Sequence, residues 1–227
     1  MSVYRLNLRP VFPPAHLAEK EGLLAVGGDL SQERLLKAYA EGIFPWYSPG
    51  DPLLWWSPDP RALLFPAEFH LSRRNRRYLQ KTGFVCRRDT VFTEVVRACA
   101  EIPRRHESGT WITPEMQAAY IDLHAAGFAH SFEIFQDNEL VGGLYGISLG
   151  RCFFAESMFS LVDHASKAAL SDLMALAQRF NFHFIDVQFL TPHLEQFGGR
   201  EISRREYLLR LGRALKKPAI RKMWSEL

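Results

Sequence analysis

The amino-acid sequence predicts an α/β protein: a small, turn-rich N-terminal domain followed by a mixed sheet flanked by helices. Two observations predict this class. The chain changes character near residue 62, where turn-forming stretches such as GGD and IFPWYSPGDPLLWWSPDPR give way to regular elements. Farther along, three strand-like runs follow one another closely, and a strand–helix–strand step comes after them. We therefore predict one domain over residues 1–62 and a second over residues 63–227.

Helices are indicated by capping residues that precede apolar periodicity. In the N-terminal part, Ser31 caps a helix that ends at Gly42, and Tyr39 belongs to its apolar stripe. The later helices are predicted over Ser72 to Lys81, over VFTEVVRACAEI with Asp89 or Thr90 as its cap, from Thr113-Pro114 to Gly127, over ASKAALSDLMALAQRF, and from the capping box Ser203-Arg204-Arg205-Glu206 onward.

Strands are indicated by alternating apolar residues between turn formers. GFVCRRD is a short strand. HSFEIFQ, ELVGGLYGISL and RCFFAESMF are expected to pair antiparallel, because Asp137-Asn138 and Gly150 stand at the two turns between them. The next strand, HFIDVQFL, follows a crossover helix, which favours parallel pairing with the strand before that helix.

The composition is that of an ordinary globular protein. Apolar residues make up 47% and charged residues 23%, and the net charge is only +3. Three cysteines without a CxxC pair favour reduced thiols and a cytoplasmic location. The first residues lack the apolar core of a signal peptide, no run approaches the ~18 apolar residues of a membrane span, and the histidines lack a metal-ligand spacing.

The strand HFIDVQFL carries two polar residues where a buried strand needs apolar ones. Because strand side chains alternate between faces, Asp186 and Gln188 are predicted to point the same way. Burial of an unpaired carboxylate is costly, so either a functional site needs it or the Asp caps a loop or pairs with an arginine. From the residues alone, the second explanation is the better one for Asp186.

The order of elements after residue 62 resembles the fold of the GCN5-related N-acetyltransferases. This resemblance puts Glu156 on the fourth strand and Asp186 and Gln188 on the fifth, all facing the place of acyl transfer. Such enzymes hold the coenzyme A pyrophosphate on a glycine-containing loop after the fourth strand, whereas the junction here, SMFSLVDHASKAAL, contains no glycine. A backbone cradle for pyrophosphate needs glycines for close approach, so coenzyme A is disfavoured.

Several stretches, in one order from about residue 22 to 209, resemble the leucyl/phenylalanyl-tRNA–protein transferases: GLLAVGGDLS, EGIFPWYSPGDPLLWWSPDPR, GTWIT, ELVGGLYG, ESMFS, ASK and ID-x-Q. The resemblance implies an aminoacyltransferase that moves Leu or Phe, and also Met, from aminoacyl-tRNA to the α-amino group of proteins starting with Arg or Lys. This modification marks them for N-terminus-dependent degradation. Because the aminoacyl ester is already activated, we expect that the enzyme needs neither a cofactor nor a metal. We also expect a monomer that does not bind membranes.

The resemblance also implies roles for individual residues. Asp186, Gln188 and Glu156 are the catalytic residues, with Asp186 as the base that relieves the incoming amine of a proton. The apolar pocket for the aminoacyl side chain consists of Leu144, Phe153, Met158, Leu170, Leu173 and Ile185. Trp46 and Trp111 stack on the terminal adenine of the tRNA. The tRNA backbone is contacted by Arg73, Arg74, Arg76, Arg77 and Lys81.

Plainer alternatives stand beside these roles. The six pocket residues also suit ordinary core packing, and the basic helix also suits a solvated face. A covalent intermediate on Cys152 is disfavoured, because no motif places a histidine near it. Two rival functions remain at this stage: an acetyl-CoA-dependent N-acetyltransferase and a non-catalytic tRNA-binding module.

Overall fold

A computed structural model describes residues 3–102, 111–220 and 224 of the chain. Residues 109 and 110 of the GTWIT stretch lie outside these ranges. The described strands are β1 (Tyr4–Leu6), β2 (Leu23–Gly27), β3 (Phe44–Pro45), β4 (Leu54–Trp56), β5 (Arg61–Leu64), β6 (Val85–Arg88), β7 (Ala129–Gln136), β8 (Glu139–Leu149), β9 (Cys152–Ser160), β10 (Phe184–Gln188) and β11 (Arg200–Ile202). The described α-helices are α1 (Gln32–Ala40), α2 (Arg73–Leu79), α3 (Phe92–Glu101), α4 (Pro114–Ala125), α5 (Ala165–Arg179), α6 (Pro192–Glu195) and α7 (Arg204–Leu215).

The larger sheet has the order β11-β5-β10-β9-β8-β7-β6. Strands β6 to β9 pair antiparallel, and β10 pairs parallel with β9. The predicted class, a mixed sheet flanked by helices, and the predicted strand directions are therefore confirmed. Strands β5 and β11 were not predicted. They pair antiparallel with each other, β5 also pairs antiparallel with β10, and both are too short to show a periodicity.

The smaller sheet has the order β1-β2-β4-β3 and lies within residues 4–56. It packs with α1 against the larger sheet, because a continuous core joins Leu35 and Trp55 to Phe154 and Tyr207. Arg61 already belongs to the larger sheet. The division of the chain into two domains near residue 62 stays a prediction.

Two apolar cores lie on opposite faces of the larger sheet. One contains side chains of the N-terminal part together with α3, α4 and α7. The other contains side chains of α5 together with Leu194, Phe197 and Trp224. Strand β10 contributes to both cores and is buried along its whole length. Its polar residues are consequently held inside the protein.

The caps predicted at Ser31 and Ser203 are confirmed for α1 and α7, where each side chain accepts a backbone hydrogen bond. Ser72 and Thr113, predicted as the starts of α2 and α4, accept in the same way. The cap predicted for α3 was wrong. Glu133, from β7, accepts hydrogen bonds from the backbone N–H groups of Thr90 and Val91 at the start of that helix. The carboxylate of Asp89 is instead bonded to His130 and to the Ser131 N–H. A cap supplied from a distant strand leaves no local sequence signal.

The GGD turn of the N-terminal part is built around a buried arginine. Arg34 has no exposed surface, and its guanidinium donates to the Asn7 carbonyl at 2.6 Å and to Asp29 at 3.1 Å. Gly28 has a φ of +81°, and a Cβ there would lie 3.0 Å from the Arg34 Cζ and Nε atoms. Because Arg34 is fixed by two partners, it has little freedom to yield.

We expect Gly28→Ala to destabilise the protein more than Gly50→Ala does. Both glycines have positive φ, which costs about 1 kcal/mol for alanine, but at Gly50 a Cβ would meet nothing within 4 Å. Overpacking against Arg34 adds roughly 1–3 kcal/mol at Gly28 alone. Urea unfolding of both variants measures the difference, and equal losses of stability would contradict a steric role for Arg34.

Candidate active site

Two adjoining cavities meet at the carboxyl end of β10. Their volumes are about 310 and 330 Å³. They share walls formed by Glu156, Val187, Gln188, Thr191 and Leu194. A polar pair, the Glu156 carboxyl and the Gln188 amide, therefore stands between two largely apolar chambers. We call them the aromatic cavity and the Met158 cavity, after the residues that distinguish them.

The aromatic cavity is bordered by Phe44, Trp46, Trp111 and Phe189. The Trp46 and Phe189 rings are 5.6 Å apart and both are substantially exposed, at 38% and 42%. Trp56 donates its indole N–H to the Trp46 carbonyl at 2.6 Å. The structure therefore brings the two predicted adenine-stacking residues, Trp46 and Trp111, to one cavity, and Trp56 fixes the loop that carries Trp46.

A register shift at the end of β10 changes the predicted alternation. The strand pairs Asp186 with Leu63 but Gln188 with Ala62, and Gln188 has a φ of +58°. Val187 and Gln188 consequently border the same two cavities, whereas Asp186 borders neither. The prediction that Asp186 and Gln188 point the same way was wrong, because a bulge follows Asp186.

Asp186 is the centre of a buried ion pair. Its two carboxylate oxygens accept from Arg61 Nε and Nη2, both at 2.8 Å, and one also accepts from the Tyr207 hydroxyl at 2.7 Å. The Gln188 backbone N–H donates to the same carboxylate at 3.0 Å. The Arg61 Cζ lies 4.6 Å from the centroid of the Phe44 ring and 4.7 Å from that of Tyr207. This is the arginine pairing that the residues alone favour.

The ion pair keeps the buried guanidinium of Arg61 charged. Desolvation by itself would lower the pKa of Arg61, but the neighbouring charge of Asp186 raises that pKa above its ordinary value. Burial raises the pKa of Tyr207 well above its ordinary value. The guanidinium thus stays charged and the phenol stays a donor, so the carboxylate of Asp186 is saturated with hydrogen bonds.

Glu156 has the opposite environment. Its Oε2 accepts from the Tyr120 hydroxyl at 2.7 Å, and Tyr120 in turn shares a 2.7 Å hydrogen bond with the Tyr39 hydroxyl. Its Oε1 is shielded from solvent and has no hydrogen-bond partner among the described residues. Burial raises the pKa of Glu156 to about 7, against the opposing effect of the Tyr120 hydrogen bond. A carboxyl that titrates near neutrality thus borders both cavities.

The six residues predicted for the aminoacyl pocket lie together, but only in part at a cavity. Met158 borders the Met158 cavity and is partly exposed. The other five belong to the apolar core behind it and are 0–1% exposed; they are Leu144, Phe153, Leu170, Leu173 and Ile185. These five do not border the Met158 cavity or the aromatic cavity.

The predicted basic surface lies on α2 and the turn after it. Arg73, Arg74, Arg76, Arg77 and Lys81 are all exposed. The ring of Tyr78, on the same helix, packs at 4.2 Å on His164, which immediately precedes α5. Burial lowers the pKa values of His164 and His193, and the positive charge of Lys167, in the first turn of α5, lowers them further. Lys167 therefore brings positive charge from the side of α2 towards the Met158 cavity, which His193 borders as a largely neutral imidazole.

Several residues of the site carried no signal of their role in the sequence. Arg61 stands within an apolar run, RALL, and Tyr39, Tyr120 and Tyr207 occupy apolar positions of helices. A charged or hydroxyl-bearing side chain on a buried face was the only available signal, since its partners are distant in sequence. His193 lies on α6, a helix of a single turn.

The described part of the chain contains no group of three or more His, Cys, Asp or Glu side chains placed to hold a metal ion. None of the helices in these ranges combines the length and the apolarity that a bilayer crossing requires.

The chain matches two family models over most of its length. Residues 63–212 match the leucyl/phenylalanyl-tRNA protein transferase family, and residues 28–59 match the N-terminal domain of the same family. Leucyl/phenylalanyl-tRNA–protein transferases that resemble it include that of Desulfatibacillum aliphaticivorans, 52% identical over 99% of this chain and 97% of the relative. The transferase of Syntrophobacter fumaroxidans is 54% identical over 92% of this chain and 89% of the relative. The transferase of Syntrophus aciditrophicus is 54% identical over 95% of this chain and 90% of the relative.

Solved structures give weaker likenesses. An aminoglycoside acetyltransferase from an uncultured soil metagenomic sample gives a TM-score of 0.38 at 14% identity, over 60% of this chain and 89% of the other. L-PGS from Bacillus licheniformis gives 0.44 at 9% identity, over 86% and 74%. At these scores neither likeness bears on function.

We expect Glu156→Gln to stabilise the protein at about pH 8 and to leave it unchanged at about pH 4. Burial raises the Glu156 pKa from 4.5 to about 7. The contribution of Glu156 to the free energy of unfolding is therefore fully present below pH ~4.5 and is lost as the pH rises through ~7. Glutamine carries no ionisable proton, so the variant should not lose this contribution at high pH. Thermal unfolding across that range measures it, with Glu201→Gln, at an exposed residue, as the control for loss of one charge. A stabilisation independent of pH would contradict the environment described for Glu156.

Proposed function

The chain belongs to the leucyl/phenylalanyl-tRNA–protein transferase family, and we propose that the two joined cavities are where it transfers Leu or Phe from aminoacyl-tRNA to a protein N-terminus. The observation that carries this proposal is the Glu156 carboxyl, which borders both cavities and has a pKa of about 7. A group that titrates near neutrality can accept a proton and return it within one reaction.

The reaction needs little beyond alignment and one proton acceptor. The amine nitrogen attacks the ester carbonyl, the C–N bond forms, and the bond to the 3′ oxygen of the terminal adenosine breaks. An α-amino group has a pKa of ~7.7–8.0, so on the order of a tenth of it is neutral at pH 7. Glu156 takes a proton from the attacking nitrogen and gives one to the leaving oxygen, so the enzyme is unchanged. Alignment of amine and ester supplies up to ~7–11 kcal/mol of the barrier reduction.

Asp186 acts as a positioning residue in this scheme. Its carboxylate is occupied by Arg61 and Tyr207, and it also holds the backbone of Gln188. The Gln188 side chain, oriented so that its Nε2 donates to the Val187 carbonyl at 3.1 Å and the Ala155 carbonyl at 3.0 Å, borders both cavities and orients the amine. The proton-accepting role predicted for Asp186 passes to Glu156, because Glu156 faces the cavities.

The aromatic cavity is proposed to bind the terminal adenosine. Stacking of a base on an aromatic side chain contributes ~1–3 kcal/mol, and Trp46 and Trp111 both border this cavity. Phe189, which lies against Trp46, enlarges the apolar wall. An adenosine held here brings its 3′ ester to Glu156, on the wall shared with the other cavity.

The Met158 cavity is proposed to receive the Leu or Phe side chain. Its lining includes Ile102, Ala155, Val187 and Leu194 as well as Met158. A methionine side chain is unbranched and polarizable, so it adapts to an aliphatic or an aromatic neighbour. The five core residues behind Met158 form the back of this pocket, and the same apolar space suits Met-tRNA.

The basic helix α2 is proposed to contact the tRNA backbone. Its arginines are exposed, and the contact of Tyr78 with His164 joins the helix to the first turn of α5. Lys167, whose charge adds to burial in lowering the pKa of His193, extends the positive surface towards the Met158 cavity that His193 borders. Contacts to phosphates carry no sequence information by themselves, so several isoacceptors can serve as donors.

The acceptor is proposed to be a protein with Arg or Lys at its N-terminus, which the transfer marks for N-terminus-dependent degradation. The Glu156 carboxyl, when ionised, gives the wall shared by the cavities negative charge, which suits a basic acceptor, whereas the charge of Asp186 is balanced by Arg61. Aminoacyl-tRNA is a cytoplasmic substrate, so we place the protein in the cytoplasm. We propose that it acts as a monomer.

We expect Glu156→Gln to lower the single-turnover rate of transfer by roughly 10²–10⁴-fold, the range for loss of a positioned acid–base group. The assay follows labelled Leu from Leu-tRNA into a peptide that begins with Arg. An N-terminally acetylated copy of the peptide, which lacks the free amine, is the matched control and should stay unlabelled. Wild-type protein that labels neither peptide would refute the proposed function.

Asp186→Asn separates the two carboxylates in the same assay. We expect it to slow transfer and also to destabilise the protein, because it leaves Arg61 charged and buried without its partner, at a cost of roughly 3–5 kcal/mol. If Asp186→Asn keeps its melting temperature and loses transfer while Glu156→Gln remains active, Asp186 is the base after all.

We expect simultaneous change of Arg73, Arg74, Arg76 and Arg77 to Ala to raise the KM for aminoacyl-tRNA steeply at moderate salt. A short aminoacyl-adenosine substrate lacks the tRNA phosphates, so its KM should stay nearly unchanged. Alanine at Arg213 and Lys216, exposed on and just after α7, controls for loss of positive charge elsewhere. Equal losses on both substrates would show that α2 is structural.

A further inference from the structure

A chain of hydroxyl groups links the N-terminal part of the protein to the site. It begins at Tyr39 on α1, passes through Tyr120 on α4, and ends at Glu156 on β9. Each hydroxyl contact measures 2.7 Å, and both tyrosines have no exposed surface. Two buried phenols on different helices are thus linked to one oxygen of the site carboxyl, Tyr120 directly and Tyr39 through Tyr120.

The protons of this chain run in one direction. Burial raises the pKa values of Tyr39 and Tyr120 well above 10, so both phenols stay protonated over the working range of the enzyme. Tyr120 donates to the Glu156 carboxylate, which has no proton to return, and its oxygen is then free to accept from Tyr39. The chain therefore presents a donor to Oε2 whenever Glu156 is ionised.

The remaining described neighbours of Glu156 give its other oxygen no hydrogen bond, and that oxygen is shielded from solvent. Asp186 opposes ionisation of Glu156 and Arg61 favours it, but these two are paired with each other. His193 borders the Met158 cavity together with Glu156. Oε1 has no partner among the described residues, and Glu156 forms part of the wall shared by the two cavities.

We propose that Tyr120 and Tyr39 are positioning residues for the transfer reaction: the Tyr120 hydroxyl, supported by that of Tyr39, donates to Oε2 of Glu156 and so fixes the carboxyl that exchanges the proton. This inference rests on the proposed function of the site. It also gives α1 a part in the chemistry, because Tyr39 is fixed by that helix and packs its ring at 5.1 Å on Phe154 of β9. A donor that stabilises the carboxylate offsets part of the effect of burial, and so sets where Glu156 titrates.

The test is the pH dependence of single-turnover transfer at saturating aminoacyl-tRNA. We expect Tyr120→Phe to move the apparent pKa of the rate upward by about one unit, because the carboxylate loses its donor. Below that pKa the rate should fall about tenfold, while at high pH it should approach the wild-type rate and KM should change little. Tyr39→Phe leaves the Tyr120 donor in place, so a smaller shift in the same direction is expected.

Tyr47→Phe is the matched control. Its hydroxyl hydrogen-bonds at 3.1 Å with Thr113, the residue that caps α4, so it removes a tyrosine hydroxyl beside the same helix but outside the chain. The pH profile of this variant should match the wild type. A shift as large as that of Tyr120→Phe would show that general disturbance of α4 is the cause, and would overturn the proposal.

Glu156→Gln separates failure of the inference from failure of the proposed function. If this variant transfers at the wild-type rate, Glu156 is not the proton acceptor and the proposed function of the carboxyl fails. If Glu156→Gln is inactive while a folded Tyr120→Phe or Tyr39→Phe titrates like the wild type, the site stands and the positioning role is overturned. Infrared titration of the Glu156 carboxyl, as the difference from Glu156→Gln, reads the same shift without any need for activity.

Discussion

The buried ion pair between Arg61 and Asp186 is the interaction on which the rest of the structure depends. It joins β5 to β10, accepts a hydrogen bond from Tyr207 of α7, and places the guanidinium against the ring of Phe44 in β3. Removal of one member of such a pair leaves a buried charge, at roughly 3–5 kcal/mol. Because desolvation of both charges offsets their attraction, the intact pair adds little net stability. It does fix β5, β10, α7 and Phe44 in one arrangement.

That arrangement divides the labour between two carboxyl groups. The Asp186 carboxylate is saturated by three side-chain donors and a backbone N–H, and it borders neither cavity. Glu156 has one oxygen bonded to Tyr120 and one oxygen without a partner among the described residues, and the residue forms part of the wall that both cavities share. Under the proposed function the two acidic groups take different roles because their environments differ, and the difference follows from the arginine that pairs with Asp186 and not with Glu156.

The sequence predicted the local features well and the long-range ones poorly. Side-chain caps such as Ser31, the tight turns between β7, β8 and β9, and the crossover to β10 all have short-range signals, and the structure has them. The bulge after Asp186, the cap supplied by Glu133 and the partner Arg61 depend on residues 42 to 125 positions away, for which periodicity gives no information. Which polar residues belong to the site was therefore more predictable than how they are oriented. The direction of the Asp186 side chain in particular depends on the bulge and on Arg61.

The apolar side of the site shows the same division between composition and geometry. Five of the six predicted pocket residues are buried in the core and border neither the aromatic cavity nor the Met158 cavity, whereas Met158 borders the latter. Phe153 and Ile185 sit on adjacent paired strands, so they cannot move without disturbing the sheet. Met158, with three rotatable bonds, can change shape at low cost. If the Met158 cavity receives the aminoacyl side chain, as proposed, discrimination among Leu, Phe and Met depends on how far the flexible Met158 side chain yields against a rigid wall. Because one methylene in an apolar pocket is worth only ~1–3 kcal/mol, such a wall separates apolar side chains weakly and excludes charged ones far more strongly.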